Sequence, residues 1–222
     1  MSDTLTRAPA RNYVGGEWRE TVSGETYEKH NPWRPSEVTG VYAASDAEDA
    51  RLAVEAAHDA FPAWAALPAV QRAAFFTKAA AAVEARVEQV AQDMTAEMGK
   101  PLRESRLEAL RAAAIFRYAA GEAWRPIGDE YEPSVANQRL YTLRRPLGVV
   151  GLITPWNFPI AIPAWKMAPA LISGNAVVLK PAELTPLTAA NLALALAEAG
   201  LPAGWPPSPS PARPRSDWGS PT

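Results

Sequence analysis

Residues Gly148–Pro181 read GVVGLITPWNFPIAIPAWKMAPALISGNAVVLKP. Two short apolar runs, GVVGLIT and AVVLK, lack polar alternation, as strands covered on both faces do. Between them, IPAWKMAPALISG has helical spacing, with Pro169 awkward inside it. TPLTAANLALALAEAG follows as a second helix, with Thr185 as a cap, Pro186 at the first position and Gly200 as the stop. Strand, helix, strand, helix with unalternating strands predicts a parallel α/β unit. Ligands of such units sit beyond the carboxyl ends of the strands. Pro155-Trp156-Asn157-Phe158-Pro159 occupies that place after the first strand.

Two chemistries fit this rim. The Asn157 amide is a neutral N–H donor that could stabilise an oxyanion without titrating, between prolines that restrict the loop, with Trp156 as an apolar wall. The plain structural alternative is that Asn157 caps the following helix and Trp156 fills a core. Lys180 and Glu183 close the second strand in VLKPAEL. A cation and a carboxylate there could bind the hydroxyls of a nucleotide ribose, or could form a salt-bridged strand end. Neither GxGxxG nor GxxxxGK[ST] occurs in the chain.

Ahead of this unit, NYVGGEWRE predicts a small hairpin turning at Gly15-Gly16, followed by a turn-rich, extended HNPWRPSEVTGVY. Three helices are then expected. The first begins near Ser45, whose spacing to Glu48 suits a capping box, carries Leu52, Ala56 and Ala60 on one face, and ends or kinks at Pro62. The second runs unbroken from Pro68 to Gly99 along Phe75, Ala79, Val83, Val90 and Met94. The third runs from Pro101 to Gly121, with Leu107, Leu110, Ala114 and Tyr118 sharing a face and a solvated arginine face between them. His58 reads as a surface or packing residue. Residues 122–145 read as irregular chain and then a strand or hairpin arm near Arg139–Arg144. The domain plan is 1–44 hairpin and arm, 45–145 helical segment with connecting arm, 146–204 partial parallel α/β unit, and 205–222 a Pro/Ser-rich tail, disordered or translated out of frame. That tail has six prolines and four serines in eighteen residues and cannot build a core.

Composition narrows the function. The 222 residues are 48% hydrophobic and 21% charged, with a net charge of −2. The 22 basic residues form no block, so nucleic acid is not an expected partner. No run of about twenty apolar residues points to a membrane, and with no apolar leader the expected location is the cytoplasm. Cysteine is absent, so disulfides, iron–sulfur clusters, thiolate zinc sites and a cysteine nucleophile from these residues are excluded, and with two histidines and no HExxH spacing a protein metal site is not expected.

The stretch PLGVVGLITPWNFPIAIPAWKMAPALISGNAVVLKPAELTPLTA resembles the cofactor-domain opening of the aldehyde dehydrogenase superfamily, combining the PWNFP loop, PAL..GN.VVLKP and E.TP. The resemblance runs from about Asn12 to Gly204. Within the superfamily it is nearest to 2-oxoglutarate semialdehyde (2,5-dioxopentanoate) and succinate semialdehyde dehydrogenases. It implies the N-terminal part of an NAD-binding α/β domain, truncated, with a parallel βαβα unit. It implies Asn157 as the catalytic amide holding an oxyanion. It implies Ile153, Thr154, Pro155 and Trp156 along the cofactor cleft, and Lys180 and Glu183 at the adenosine ribose. NAD is the implied cofactor, because a carboxylate at 183 repels a 2′-phosphate, with NADP tolerated by Lys180. The implied parent oxidises an aldehyde or semialdehyde through a cysteine thiolate and a glutamate-activated water, as a homodimer or tetramer. The cysteine, general-base and glycine-rich segments are absent from these 222 residues, so the chain is expected to be inactive alone. The alternative is a non-catalytic interaction or regulatory fragment that binds a partner through its helices or tail. An isolated unit of this kind is also expected to leave apolar surface bare near Val177–Leu179 and Leu192–Leu196.

Overall fold

The computed structural model describes residues 10–125 and 127–201. The proposed tail, 205–222, lies outside the described residues. The chain opens with β1 (Asn12–Val14) and β2 (Glu17–Arg19), an antiparallel hairpin turning at Gly15 and Gly16, whose φ values of 66° and 85° explain why glycine occupies both positions. A second hairpin joins β3 (Thr26–Asn31) to β4 (Arg34–Ala43), with Trp33 at its tip.

Four helices follow: α1 (Ala47–Ala65), α2 (Ala69–Ala85), α3 (Val87–Met98) and α4 (Leu102–Gly121). The α1 capping box is one residue later than expected. Asp46 accepts from the Glu48 and Asp49 amides, and Asp49 accepts from the Asp46 amide. Ser45 instead donates to Asn12 Oδ1 at 2.9 Å, tying the helix start to β1. The buried face is accordingly Ala53, Ala57 and Trp64 rather than Leu52. Pro62 falls in the last turn, and the helix continues past it to Ala65. The long helix expected from Pro68 to Gly99 is two. The chain leaves helical geometry at Arg86 (φ −112°, ψ 8°), where Arg86 also pairs with Glu198. Gly99 does end α3, in the left-handed region at φ 77°.

In α4 the expected apolar stripe is the outer face: Leu107, Leu110, Ala114 and Tyr118 are all exposed. The inner face is Ala109, Ala112, Ala113 and Phe116, small apart from one ring, so α4 can lie close against α2 and α3. Its outward arginines behave as expected in part: Arg106 pairs with Glu88 and Arg117 with Glu84, both at the surface.

A short 3-10 turn (Glu122–Trp124) and the small hairpin β5 (Glu130–Tyr131) and β6 (Leu140–Tyr141) lead to the α/β unit. There β7 (Val149–Ile153) and β8 (Ala176–Lys180) pair in parallel, from Val149 opposite Ala176 to Ile153 opposite Lys180. Their connection is α5 (Ala161–Ile172), which carries Pro169 without breaking; α6 (Pro186–Glu198) follows β8. Asn175 sets the strand starts, accepting from the Leu147 and Gly148 amides at 2.6 and 3.2 Å. Helices α1 and α5 both pack on the strand pair, while α2 and α3 pack on α6. The core gathers Trp64, Phe76, Phe116, Met167, Leu179 and Leu192, all fully buried. Trp64 donates its indole N–H to Leu171 O at 2.9 Å, and the buried Arg72 donates to Ile172 O at 3.0 Å, so α1 and α2 grip the far end of α5.

The expected bare surface is elsewhere. Val177–Leu179 and Leu192–Leu196 are almost all buried, because α1 covers β8 and α2 and α3 cover α6. Exposure falls on Leu147 (91%), Ile153 (71%) and the outer face of α4.

Candidate functional site

The parallel register puts Ile153 and Lys180 side by side, and Thr154 N donates to Lys180 O at 3.2 Å, which carries the pairing one residue past β7. The carboxyl ends of both strands therefore open at one rim. Thr154 is buried there, while Pro155, Trp156 and Asn157 are exposed. Trp156 is 53% accessible, so it fills no core. Asn157 caps no helix: the residue at the α5 N-cap position is Ile160, and the Asn157 side-chain amide has no hydrogen-bond partner among the described residues. Both plain structural alternatives for the loop thus fail on geometry.

What holds the loop comes from outside it. Lys100 Nζ donates to the Asn157 carbonyl oxygen at 3.2 Å and stands 4.1 Å from the centre of the Phe158 ring. The same ammonium pairs with Glu108 at 2.5 Å. The Glu108 carboxylate accepts the Ile160 and Ala161 amides at 3.1 and 3.2 Å, so a residue of α4 caps α5. On the other side of the loop, Lys166 Nζ donates to Ile153 O at 2.9 Å.

Lys180 and Glu183 do not form the salt bridge that one reading expected. Lys180 Nζ reaches only Pro181 O, at 3.5 Å. The Glu183 carboxylate has no partner among the described residues, and its backbone oxygen accepts the Tyr27 hydroxyl at 3.2 Å. A cation and a carboxylate thus stand at the end of β8 with capacity unused.

Helices α4 and α5 enclose a groove of about 540 Å³ lined by Arg111, Ile115, Tyr118, Trp165, Ala168 and Pro169 among others. The Arg111 guanidinium lies 5.1 Å from the centre of the Trp165 ring and has no carboxylate partner among the described residues. Sequence reasoning missed the roles of Lys100, Glu108 and Trp165. A visible signal was Glu108 standing beside the small residues that form α4's buried face. Among the described residues no cluster of metal-binding side chains occurs, and no helix is long and apolar enough to cross a membrane.

A parallel βαβα unit with unspent polar groups beyond its strand ends is the layout of an α/β protein that holds a ligand at that rim. The chain belongs to the aldehyde dehydrogenase family, which it matches over residues 18–205. It is 46% identical over 193 residues to the alpha-ketoglutaric semialdehyde dehydrogenase of Bacillus subtilis (strain 168), covering 87% of this chain and 40% of that protein. It is 40% identical over 194 residues to the mitochondrial succinate-semialdehyde dehydrogenase of Arabidopsis thaliana, covering 87% and 36%. Its fold matches the crystal structure of an NAD-dependent aldehyde dehydrogenase from Sinorhizobium meliloti with a TM-score of 0.88 and 36% identity, over 92% of this chain and 41% of that one. The chain thus spans about two fifths of the length of the curated relatives it matches.

Proposed function

We propose that this chain supplies the oxyanion-binding amide and the ribose-binding rim of an NAD(P)-dependent semialdehyde dehydrogenase. The observation that carries the reading is the exposed Asn157 side chain, unpartnered among the described residues and standing on a loop whose main chain is clamped by Lys100. A clamped donor loses little orientational freedom when charge develops on a substrate oxygen. Asn157 donates an N–H to the oxygen of the attacked aldehyde and stabilises its negative charge. The nucleophile comes from outside these residues, which contain no cysteine.

The residues present fit a nicotinamide dinucleotide: Lys180 donates to, and Glu183 accepts from, the hydroxyls of a ribose at the strand ends. A bound NAD would supply the acceptor for the hydride lost from the substrate carbon. The Glu183 carboxylate favours NAD by repelling a 2′-phosphate. Ile153, Thr154, Pro155 and Trp156 would line the cofactor cleft near its nicotinamide side. The α4–α5 groove accepts the substrate tail, and Arg111 meets the distal carboxylate of a 2-oxoglutarate or succinate semialdehyde.

The test joins residues 1–201 to the part of the Bacillus subtilis relative beyond the matched stretch. The chimera should oxidise the semialdehyde with NAD, whereas the 222-residue chain alone should not. Asn157→Ala in the chimera should lower kcat by about 10²–10³ with NAD binding retained. An active chimera whose kcat ignores that substitution overturns the reading.

A further inference from the structure

Lys100 occupies the corner between α3 and α4, held between the left-handed Gly99 and Pro101. Its side chain is 10% exposed and that of Glu108 is 1% exposed. A buried ion pair of this kind is poor value for stability alone, since desolvation cancels much of the attraction. This pair is fully used instead. One Glu108 oxygen takes the ammonium, and the other takes the two amides that open α5. The ammonium is left with a bond to the Asn157 carbonyl oxygen and a seat over the Phe158 ring.

Consider what these contacts restrain. The carbonyl of Asn157 is fixed from one side. Two residues past Phe158, the helix start is fixed by the same pair. The peptide after Asn157 thus lies between two anchors joined by an ion pair, with Pro155 and Pro159 limiting φ on either side. Among the described residues the side-chain amide of Asn157 has no partner, while the backbone that aims it is held. An apolar pair at 100 and 108 could fill the same space. It could neither donate to the carbonyl nor cap α5.

We propose that the Lys100–Glu108 pair is the positioning device of the Asn157 amide: it holds that donor in a single orientation before any substrate arrives. The proposal rests on reading Asn157 as the oxyanion donor. Lys100 and Glu108 act through Asn157 and touch no substrate themselves.

The experiment measures the order of side-chain amides in the complete 222-residue chain by ¹⁵N relaxation, with the Asn157 signal assigned by its loss in Asn157→Ser. In the unsubstituted protein the Asn157 amide should be ordered near the rigid-backbone level, about 0.85, whereas the exposed Asn137 amide should fall below about 0.6. Lys100→Met and Glu108→Gln should lower the Asn157 value toward that of Asn137, and Lys100→Arg should restore most of it. Backbone amides near Leu171, at the far end of α5, should keep their positions. An Asn157 amide as mobile as Asn137 in the unsubstituted protein overturns the proposal, even if the variants do not fold. So does an Asn157 amide that stays ordered in folded Lys100→Met. Failure of the oxyanion reading shows separately, as unchanged kcat for Asn157→Ala in the chimera.

Discussion

Glu97 caps a helix to which it does not belong: its carboxylate accepts the Thr188 amide at 3.1 Å and the Thr188 hydroxyl at 2.7 Å. It also takes the Leu187 amide. Thr185, at the N-cap position of α6, makes no side-chain cap bond, so α3 performs that task for α6 as α4 does for α5. Burial pushes the Glu97 carboxyl up to about 7, against the hydrogen bonds and Lys29, which pull it down.

This shift makes stability depend on pH with a defined sign. A carboxyl whose folded value lies above its unfolded value of 4.5 binds more protons when folded. Its contribution is complete below about 4.5 and is lost as pH rises through about 7. Between pH 5 and 8 the Tm should therefore fall more steeply in the unsubstituted chain than in Glu97→Gln. Parallel Tm-against-pH curves for the two proteins would contradict the assignment.

Tyr42 is buried with a hydroxyl that has no hydrogen-bond partner among the described residues. Burial, together with the nearby Glu97 carboxylate, raises its pKa far above the ordinary value, so the group stays neutral. An unpaired buried hydroxyl costs about 1–3 kcal/mol. Tyr42→Phe should thus be neutral or raise the urea midpoint, a result opposite to most core substitutions. A loss above about 1 kcal/mol would show that the hydroxyl has a partner after all.

Gly99 sits at φ 77°, and a Cβ there would come within 2.6 Å of Trp33 Nε1. Trp33 Nε1 in turn donates to the Gly99 carbonyl at 3.0 Å. Gly99→Ala should destabilise by about 1–2 kcal/mol through left-handed strain, and by more if the indole cannot withdraw. Chemical denaturation with tryptophan emission reads both effects, because Trp33 is exposed and its emission should shift as it leaves the corner.

In the active chimera, Arg111→Met should raise KM for the semialdehyde about 10-fold or more, the loss of one hydrogen bond to a charged group. KM for NAD should not move. Equal changes in both would show that Arg111 does not meet the substrate carboxylate. Arg117, by contrast, forms a solvent-screened surface pair with Glu84, and its removal should leave stability and KM nearly unchanged.

Much of the candidate site's position was legible locally. The PWNFP loop interrupts two apolar runs, so its place beyond a strand end followed from chain order. Lys180 and Glu183 were legible for the same reason, at the end of the second run. Lys100 and Glu108 were not, because they lie 57 and 52 residues from the groups they hold. The helix faces were harder still. In an alanine-rich helix such as α4, spacing alone favours the larger apolar residues as the inner face. Close packing against α2 and α3 admits the small ones instead.

Local sequence set the kind of most elements: two continuous apolar strands, the helices that follow them, the glycines at φ > 0 and the loop that carries Asn157. These follow from local rules of periodicity, branching and backbone freedom, which act within a few residues. The break at Arg86, the outward turn of Leu107 and Tyr118, and the two carboxylates that cap helices other than their own come from packing between distant segments. A buried charge or a helix end must find partners wherever the fold brings them, and that demand is met across space rather than along the chain.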